Sequence, residues 1–443
     1  MTLRRNTFIR GSIGAGLSLL AASGYAKQVK PANGINAADT KHPNGLWEKI
    51  RSQFNYDYNY LQMTGFLLAS HPKPVRDAIE YHRDALDRNP SHYIHTHWVF
   101  DPKNISQDGE QIVVESAARY LRTSPELIAL TDSTTAGLAL LYSGLRIKSG
   151  QEILTTEHDH FATHENLRLR ELRTGVPVRK VRLYTNPFDF TAQAAVQAVI
   201  NEIRPATRVI AVTWVHSNSG IKFPVADLAM ALRPINVQRD EASRILLCVD
   251  GVHGLGVENI DIEQMGCDFF AAGTHKWLLG PRGTGIVWGK RDAWQHLDSM
   301  GASFSTKAVS TPGRQFTVGG FHSFEHRWAL NTAFDFHSNI GKQNIQDRIH
   351  GFATLLKNGL MKINKVKLMT PLSMDVSSGM VIFRIQGLTP EVVVSRLEKE
   401  FRIIASTTPV RVDPDARLAA GLMNTPSDVY RCLVAVERIA QSA

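Results

Sequence analysis

Cysteine is scarce in this chain, with only Cys248, Cys267 and Cys432 among 443 residues. The first two fall in apolar runs that predict buried strands and the third in the last helical stretch, which argues against a disulfide framework. Beyond the N-terminal segment no run is long and apolar enough to span a bilayer. Lys and Arg exceed Asp and Glu, 50 against 41, but form no basic run, so the footprint of a nucleic-acid binder is missing. Internal repeats and low-complexity tracts are absent as well. The three histidines of Pro90–Trp98 have no nearby cysteine or carboxylate to complete a ligand set, so no metal site is expected.

What is present centres on Gly273-Thr274-His275-Lys276-Trp277-Leu278-Leu279-Gly280-Pro281-Arg282-Gly283-Thr284-Gly285. Lys276 follows a short apolar strand, Cys267 to Ala272, and precedes three glycines. Desolvation at such a place favours the neutral, nucleophilic amine, which forms Schiff bases with carbonyls, pyridoxal phosphate being the commonest carbonyl cofactor. A lysine beside a tight turn is the alternative reading of the same residues. Upstream, Arg244 to Asp250 is an apolar run ending in a carboxylate and the loop Gly251-Val252-His253-Gly254. Such a run predicts a parallel strand buried on both faces, with Asp250 at its carboxyl end, where open α/β sheets bind ligands. A buried Asp there keeps a pyridine nitrogen protonated.

These stretches resemble the class V, cysteine-desulfurase-like group of fold-type I pyridoxal phosphate enzymes, and within it the isopenicillin N epimerase-like branch. The resemblance runs from about Asn59 to the C-terminus. It implies a PLP-dependent transferase fold of the α/β class, with a large domain on a mainly parallel sheet, a smaller α+β C-terminal domain, pyridoxal 5'-phosphate as cofactor and a homodimer. Alternating strand-like and helix-like runs from about Ile128 to Gly289 agree with the sheet. The expected organisation is a signal peptide over 1–26, a linker and N-terminal segment packing on the small domain over 27–58, the large domain over 59–326 and the small domain over 327–443.

The remaining site residues follow from the same likeness. Leu127 to Leu140 turns from strand to helix through Ser133-Thr134-Thr135, where free amides and hydroxyls suit a phosphate, although Ser133 or Thr134 also suits a helix cap. The resemblance carries Thr134 and Thr135 over as phosphate ligands, with His275 as a further phosphate contact. It places a ring over the cofactor at Glu157-His158, chosen over His160 because the glutamate anchors the alignment. It assigns a contact with the cofactor's 3-hydroxyl to Asn218, with His216 or Ser217 as alternatives because the spacing to Gly220 is one residue short. His253 is carried over as another cofactor contact. Arg417, seven residues before Asn424, is carried over as the grip on the substrate carboxylate, with Arg411 in reserve. Pro90–Trp98 is expected to form an aromatic loop facing the substrate.

Two departures stand out. Gly320 replaces the threonine with which many relatives reach the neighbouring subunit's phosphate, which puts that contact in doubt. The segment Ile403 to Pro409 lacks the cysteine that sulfur transfer through a persulfide requires. Amino-acid chemistry at Cα remains: Lys276 takes the α proton while a ring protonated against Asp250 holds the charge. Epimerase, aminotransferase and lyase stay open, as does a non-catalytic periplasmic binding protein that retains the fold.

Arg4-Arg5, an apolar segment from Gly11 to Ala22 and small residues at Gly24 and Ala26 predict a secretory signal of twin-arginine type, hence a folded, cofactor-loaded protein in the periplasm.

Overall fold

The computed structural model describes residues 43–98, 108–299, 301, 311–317, 319–408 and 414–443. The signal segment, residues 27–42 of the expected linker and N-terminal segment, and Arg411 lie outside them. The apolar runs of the middle of the chain form a seven-stranded sheet. From edge to edge it consists of Ile128–Thr131, Gly285–Gly289, Phe269–Gly273, Leu246–Asp250, Thr207–Thr213, Glu152–Thr156 and Val178–Val181. All but the last are buried at every position, as expected of mostly apolar strands covered on both faces. Only Gly285–Gly289 runs antiparallel to its neighbours. The carboxyl ends of the others therefore share one edge, and Thr131, Thr156, Thr213, Asp250 and Gly273 close their strands there.

The C-terminal part carries a second sheet of Ser406–Thr407, Ala416–Leu418, Val381–Ile385 and Val366–Leu368, antiparallel throughout. Its own core draws on the helices Lys342–Leu360, Pro390–Phe401 and Pro426–Gln441 through Leu356, Leu397 and Val436. The expected boundary at residue 327 falls inside the helix Phe324–Ile340, which packs on the helices Lys73–Arg88 and Gly109–Leu121 of the large-domain side. Packing partners change one residue past its end, at Gly341, whose φ of 91° breaks the helical path. Periodicity alone does not distinguish two consecutive helices that bury their faces against different layers.

The N-terminal helix Pro43–Arg51 touches the C-terminal part through Arg51 and Asp428, 3.1 Å apart, and through the Arg348 guanidinium over Trp47. Leu46 and Ile50 also enter the large core. The short strand Leu61–Gln62 then pairs in parallel with Ile403–Ile404. All three cysteines are buried and unpaired, and among the described residues no helix is long and apolar enough to cross a membrane.

Candidate active site

Lys276 stands in a loop pinned at several points. Gly280 N–H donates to Thr274 O at 2.8 Å, Leu279 N–H to Lys276 O at 3.0 Å, and Trp277 and Leu278 are buried as anchors. Leu279 adopts a left-handed conformation with φ of 62°, the kind of local strain that persists where packing over-determines a loop. The loop also reaches the neighbouring strand end, because Gly273 N–H donates to Thr134 Oγ1 at 2.8 Å. Thr134 thus accepts from the lysine loop and keeps its hydroxyl proton for another acceptor.

These contacts enclose a cavity at the carboxyl edge of the sheet, walled by Thr134, Thr135, His160, Asp250, His253 and Lys276, with Ser133, Thr213, Ser217 and His275 beside them. Asp250 is 1% exposed, and burial pushes its carboxyl up to about 6, against the Val252 amide and the Lys276 ammonium, which pull it down. Burial brings the Lys276 amine down to about 8; Asp250 opposes that shift and the Arg417 charge adds to it. Lys276 Nζ lies 3.2 Å from His253 Nε2. His253 is held well below its usual range, first by burial and then by Lys276 and Arg417, and is therefore neutral at pH 7. With Nε2 accepting from Lys276, the proton sits on Nδ1, which is buried without a partner among the described residues. Burial also lowers His275, with Lys276 as the second cause.

Ser133 caps the helix Thr134–Gly144 by accepting from Ala136 N–H, leaving the earlier amides without an intrahelical acceptor. Cap and anion seat are therefore compatible, with Ser133 as the cap. The two histidines are arranged differently from the sequence expectation. His158 turns away from the cavity: its Nε2 lies 3.0 Å from Tyr184 O, and its ring lies against Tyr184 with centroids 3.7 Å apart. His160 lines the wall instead. Asp159 explains this arrangement. Its buried carboxylate accepts from Thr213 N–H at 2.6 Å and from Thr155 Oγ1 and Thr156 N–H, so the residues on either side leave in different directions. Asp159 was missed in the sequence because its partners belong to two different strands.

Asn218 lies in the turn after Thr207–Thr213 and outside the cavity wall, where Ser217 contributes. Its Oδ1 is buried without a partner among the described residues. Pro90–His97 forms a helix packed through Tyr93 on Trp328 rather than a loop at this cavity. Among the described residues no cluster of His, Cys, Asp and Glu suits a metal ion.

Arg417 is 5% exposed in the strand Ala416–Leu418 and reaches across to the large domain. Its Nη1 donates to Ser217 O at 3.0 Å, its Nε to Ser406 Oγ at 3.1 Å, and its guanidinium lies 4.2 Å from the Phe66 ring centroid. Nη2 has no hydrogen-bond partner among the described residues. Ser406 and Phe66 gave no signal in the sequence, since their significance comes only from touching Arg417.

This donor set fits pyridoxal phosphate. An amine brought down to about 8 suits its carbonyl, a buried carboxylate its ring nitrogen, and the helix start with Thr134 its phosphate, while the unpartnered His253 Nδ1 calls for a polar ligand atom. Comparison with known proteins agrees. The aminotransferase class-V family model matches residues 105–409. Isopenicillin N epimerase of Streptomyces clavuligerus is 27% identical over 340 residues, covering 73% of this chain and 83% of that protein. A cysteine desulfurase of Yersinia pestis (strain Pestoides F) is 25% identical over 354 residues, 75% of this chain and 83% of its own. In fold, the chain matches C-DES with glycine covalently linked to its PLP cofactor, at a TM-score of 0.75 and 20% identity over 87% of this chain and 98% of that one. It also matches a cysteine desulfurase from Escherichia coli, at a TM-score of 0.74 and 19% identity over 89% and 98%. The chain belongs to the aminotransferase class-V family and is a pyridoxal 5'-phosphate enzyme of fold type I.

Proposed function

We propose that this enzyme acts at the α-carbon of an amino acid or an amino-acid-containing small molecule, in the manner of an epimerase or aminotransferase. The observation that carries the reading is the pairing of a half-buried Lys276 just past the end of one strand of the large sheet with a buried Arg417 entering from the C-terminal sheet. When bound, pyridoxal phosphate supplies a carbonyl for the amine and an electron-poor ring that stabilises charge at Cα. Lys276 Nζ would hold that carbonyl and would serve as the base for the Cα proton, with neutral His253 at 3.2 Å as its proton partner. Asp250 would hold a proton on the ring nitrogen. Arg417 Nη2 receives the substrate carboxylate while Ser406 and Ser217 fix its other edge. Ser133, Thr134, Thr135 and His275 would receive the phosphate, and His160 would cover the ring.

Sulfur transfer through an enzymic thiol finds no support, because none of the three cysteines lines the cavity. A lyase needs no such thiol and is the second reading. Incubation with single amino acids in deuterated water tests the proposal. Cα exchange with inverted configuration marks an epimerase, oxo-acid formation an aminotransferase, and loss of a β substituent a lyase. No exchange with any amino acid tried would sink Cα chemistry.

For the ring-covering residue, His160→Ala is expected to speed cofactor loss and shift its absorbance, with His158→Ala much closer to wild type. The reverse order, read by absorbance during gel filtration, would restore His158 to that role.

A homodimer is part of the proposal. Leu67 and Leu68 are more than half exposed beside the lysine loop, where Ala69 N–H donates to His275 O, and Phe161 is 63% exposed next to His160. A partner subunit would cover such apolar surface, and a monomer in sedimentation equilibrium would overturn this. Export by the twin-arginine route to the periplasm is proposed from Arg4-Arg5 and the apolar segment after them. Changing both arginines to Lys is expected to leave the precursor in the cytoplasm, and unchanged periplasmic yield would remove the assignment.

A further inference from the structure

Asp132 directly precedes the helix start assigned to the phosphate, and its side chain is 69% exposed. A carboxylate there competes for the amides and dipole that favour an anion, and repels a phosphate already seated. It is not left free. Arg327 Nη2 donates to Asp132 Oδ1 at 2.9 Å, while Nη1 donates to Glu110 Oε1 at 3.1 Å. Arg327 is 3% exposed and Glu110 5%, so the guanidinium is fixed from below and offers one edge to Asp132. Gly319, with φ of 135°, lies over this guanidinium, and a Cβ built there would stand 3.6 Å from both terminal nitrogens. His322 Nδ1 lies 2.8 Å from Gly320 O and holds the same loop. Gly319, next to the Gly320 that stands where relatives carry a phosphate-binding threonine, is here packed on a cation of its own chain.

We propose that Arg327 is a positioning residue for the phosphate seat. It draws the Asp132 carboxylate aside, so that the first amides of Thr134–Gly144 are left to the cofactor phosphate. The inference rests on the reading that places that phosphate at Ser133, Thr134 and Thr135.

The test compares pyridoxal phosphate with pyridoxal, which lacks the phosphate, in absorbance titrations of the full chain stripped of cofactor. Replacing Arg327→Gln together with Glu110→Gln removes the buried pair as a unit and leaves Asp132 unheld. Pyridoxal phosphate is then expected to bind about tenfold more weakly, with pyridoxal unchanged, as one uncompensated charge near the seat implies. Adding Asp132→Asn should restore the loss. Equal weakening of both ligands, or no rescue, would show Arg327 to be a core ion pair only and overturn the proposal. Should the paired variant not fold, Asp132→Asn alone decides: binding at least as tight as wild type supports the proposal, and weaker binding of pyridoxal phosphate overturns it. Thr134→Val separates the two levels. If it leaves the preference for pyridoxal phosphate over pyridoxal intact, the seat itself is misplaced and the inference falls with it. If it lowers that preference while the Arg327 variants do not, only the inference falls.

Discussion

Replacing Lys276 with Ala is expected to abolish covalent retention of the cofactor and to reduce Cα exchange by about a thousandfold or more, the scale of losing a positioned base. Lys276 is the only lysine lining the cavity among the described residues. Lys222, on the bridge after Val215, is held at 3.0 Å by the buried Glu258. No second amine therefore stands ready to substitute. The helix start and Thr134 do not depend on Lys276, so the variant should still take up cofactor without a bond. Borohydride reduction followed by peptide mapping reads the attachment, and deuterium incorporation reads the exchange. A reducible attachment on another lysine with undiminished exchange would sink the assignment.

Asp250 and Lys276 were legible because each terminates an apolar run. In a sheet whose strands share a direction, such termini meet at one edge by geometry alone. Their separation of one strand step, Leu246–Asp250 beside Phe269–Gly273, follows from the same pattern. The choice between His158 and His160 was not legible. It turns on a side-chain register set by Asp159, whose partners Thr155 and Thr213 lie on strands that become neighbours only on folding. The environment of Arg417 was equally hidden. Its place was read only from its offset to Asn424, and its burial depends on Phe66 and Ser217, both remote in sequence. The change of packing partners at Gly341 was not legible, because two amphipathic helices follow one another and only the layer each packs on differs.

Replacing Asp250 with Asn should move function and stability in opposite directions. The ring nitrogen loses the charge that keeps it protonated. A fall of about three pKa units in that nitrogen corresponds to about 4 kcal/mol, or about a thousandfold in Cα exchange. Attachment at Lys276 should persist, so the protein stays coloured and borohydride still fixes the cofactor. In the cofactor-free protein the carboxyl is a burden, because burial raises it from 3.8 to about 6. A carboxyl with its folded value above its unfolded one binds its proton more tightly in the native state. It therefore costs stability progressively as pH rises from about 4 to about 6, and the cost remains at higher pH. Removing the charge should stabilise the cofactor-free chain at pH 8 by at most about 3 kcal/mol, with the gap closing near pH 4. Denaturant unfolding of cofactor-free wild type and variant at pH 8 and pH 4 measures the gap. A variant less stable than wild type at pH 8 would mean that Asp250 is held by the fold rather than for the cofactor, while undiminished exchange would mean that no ring nitrogen faces it.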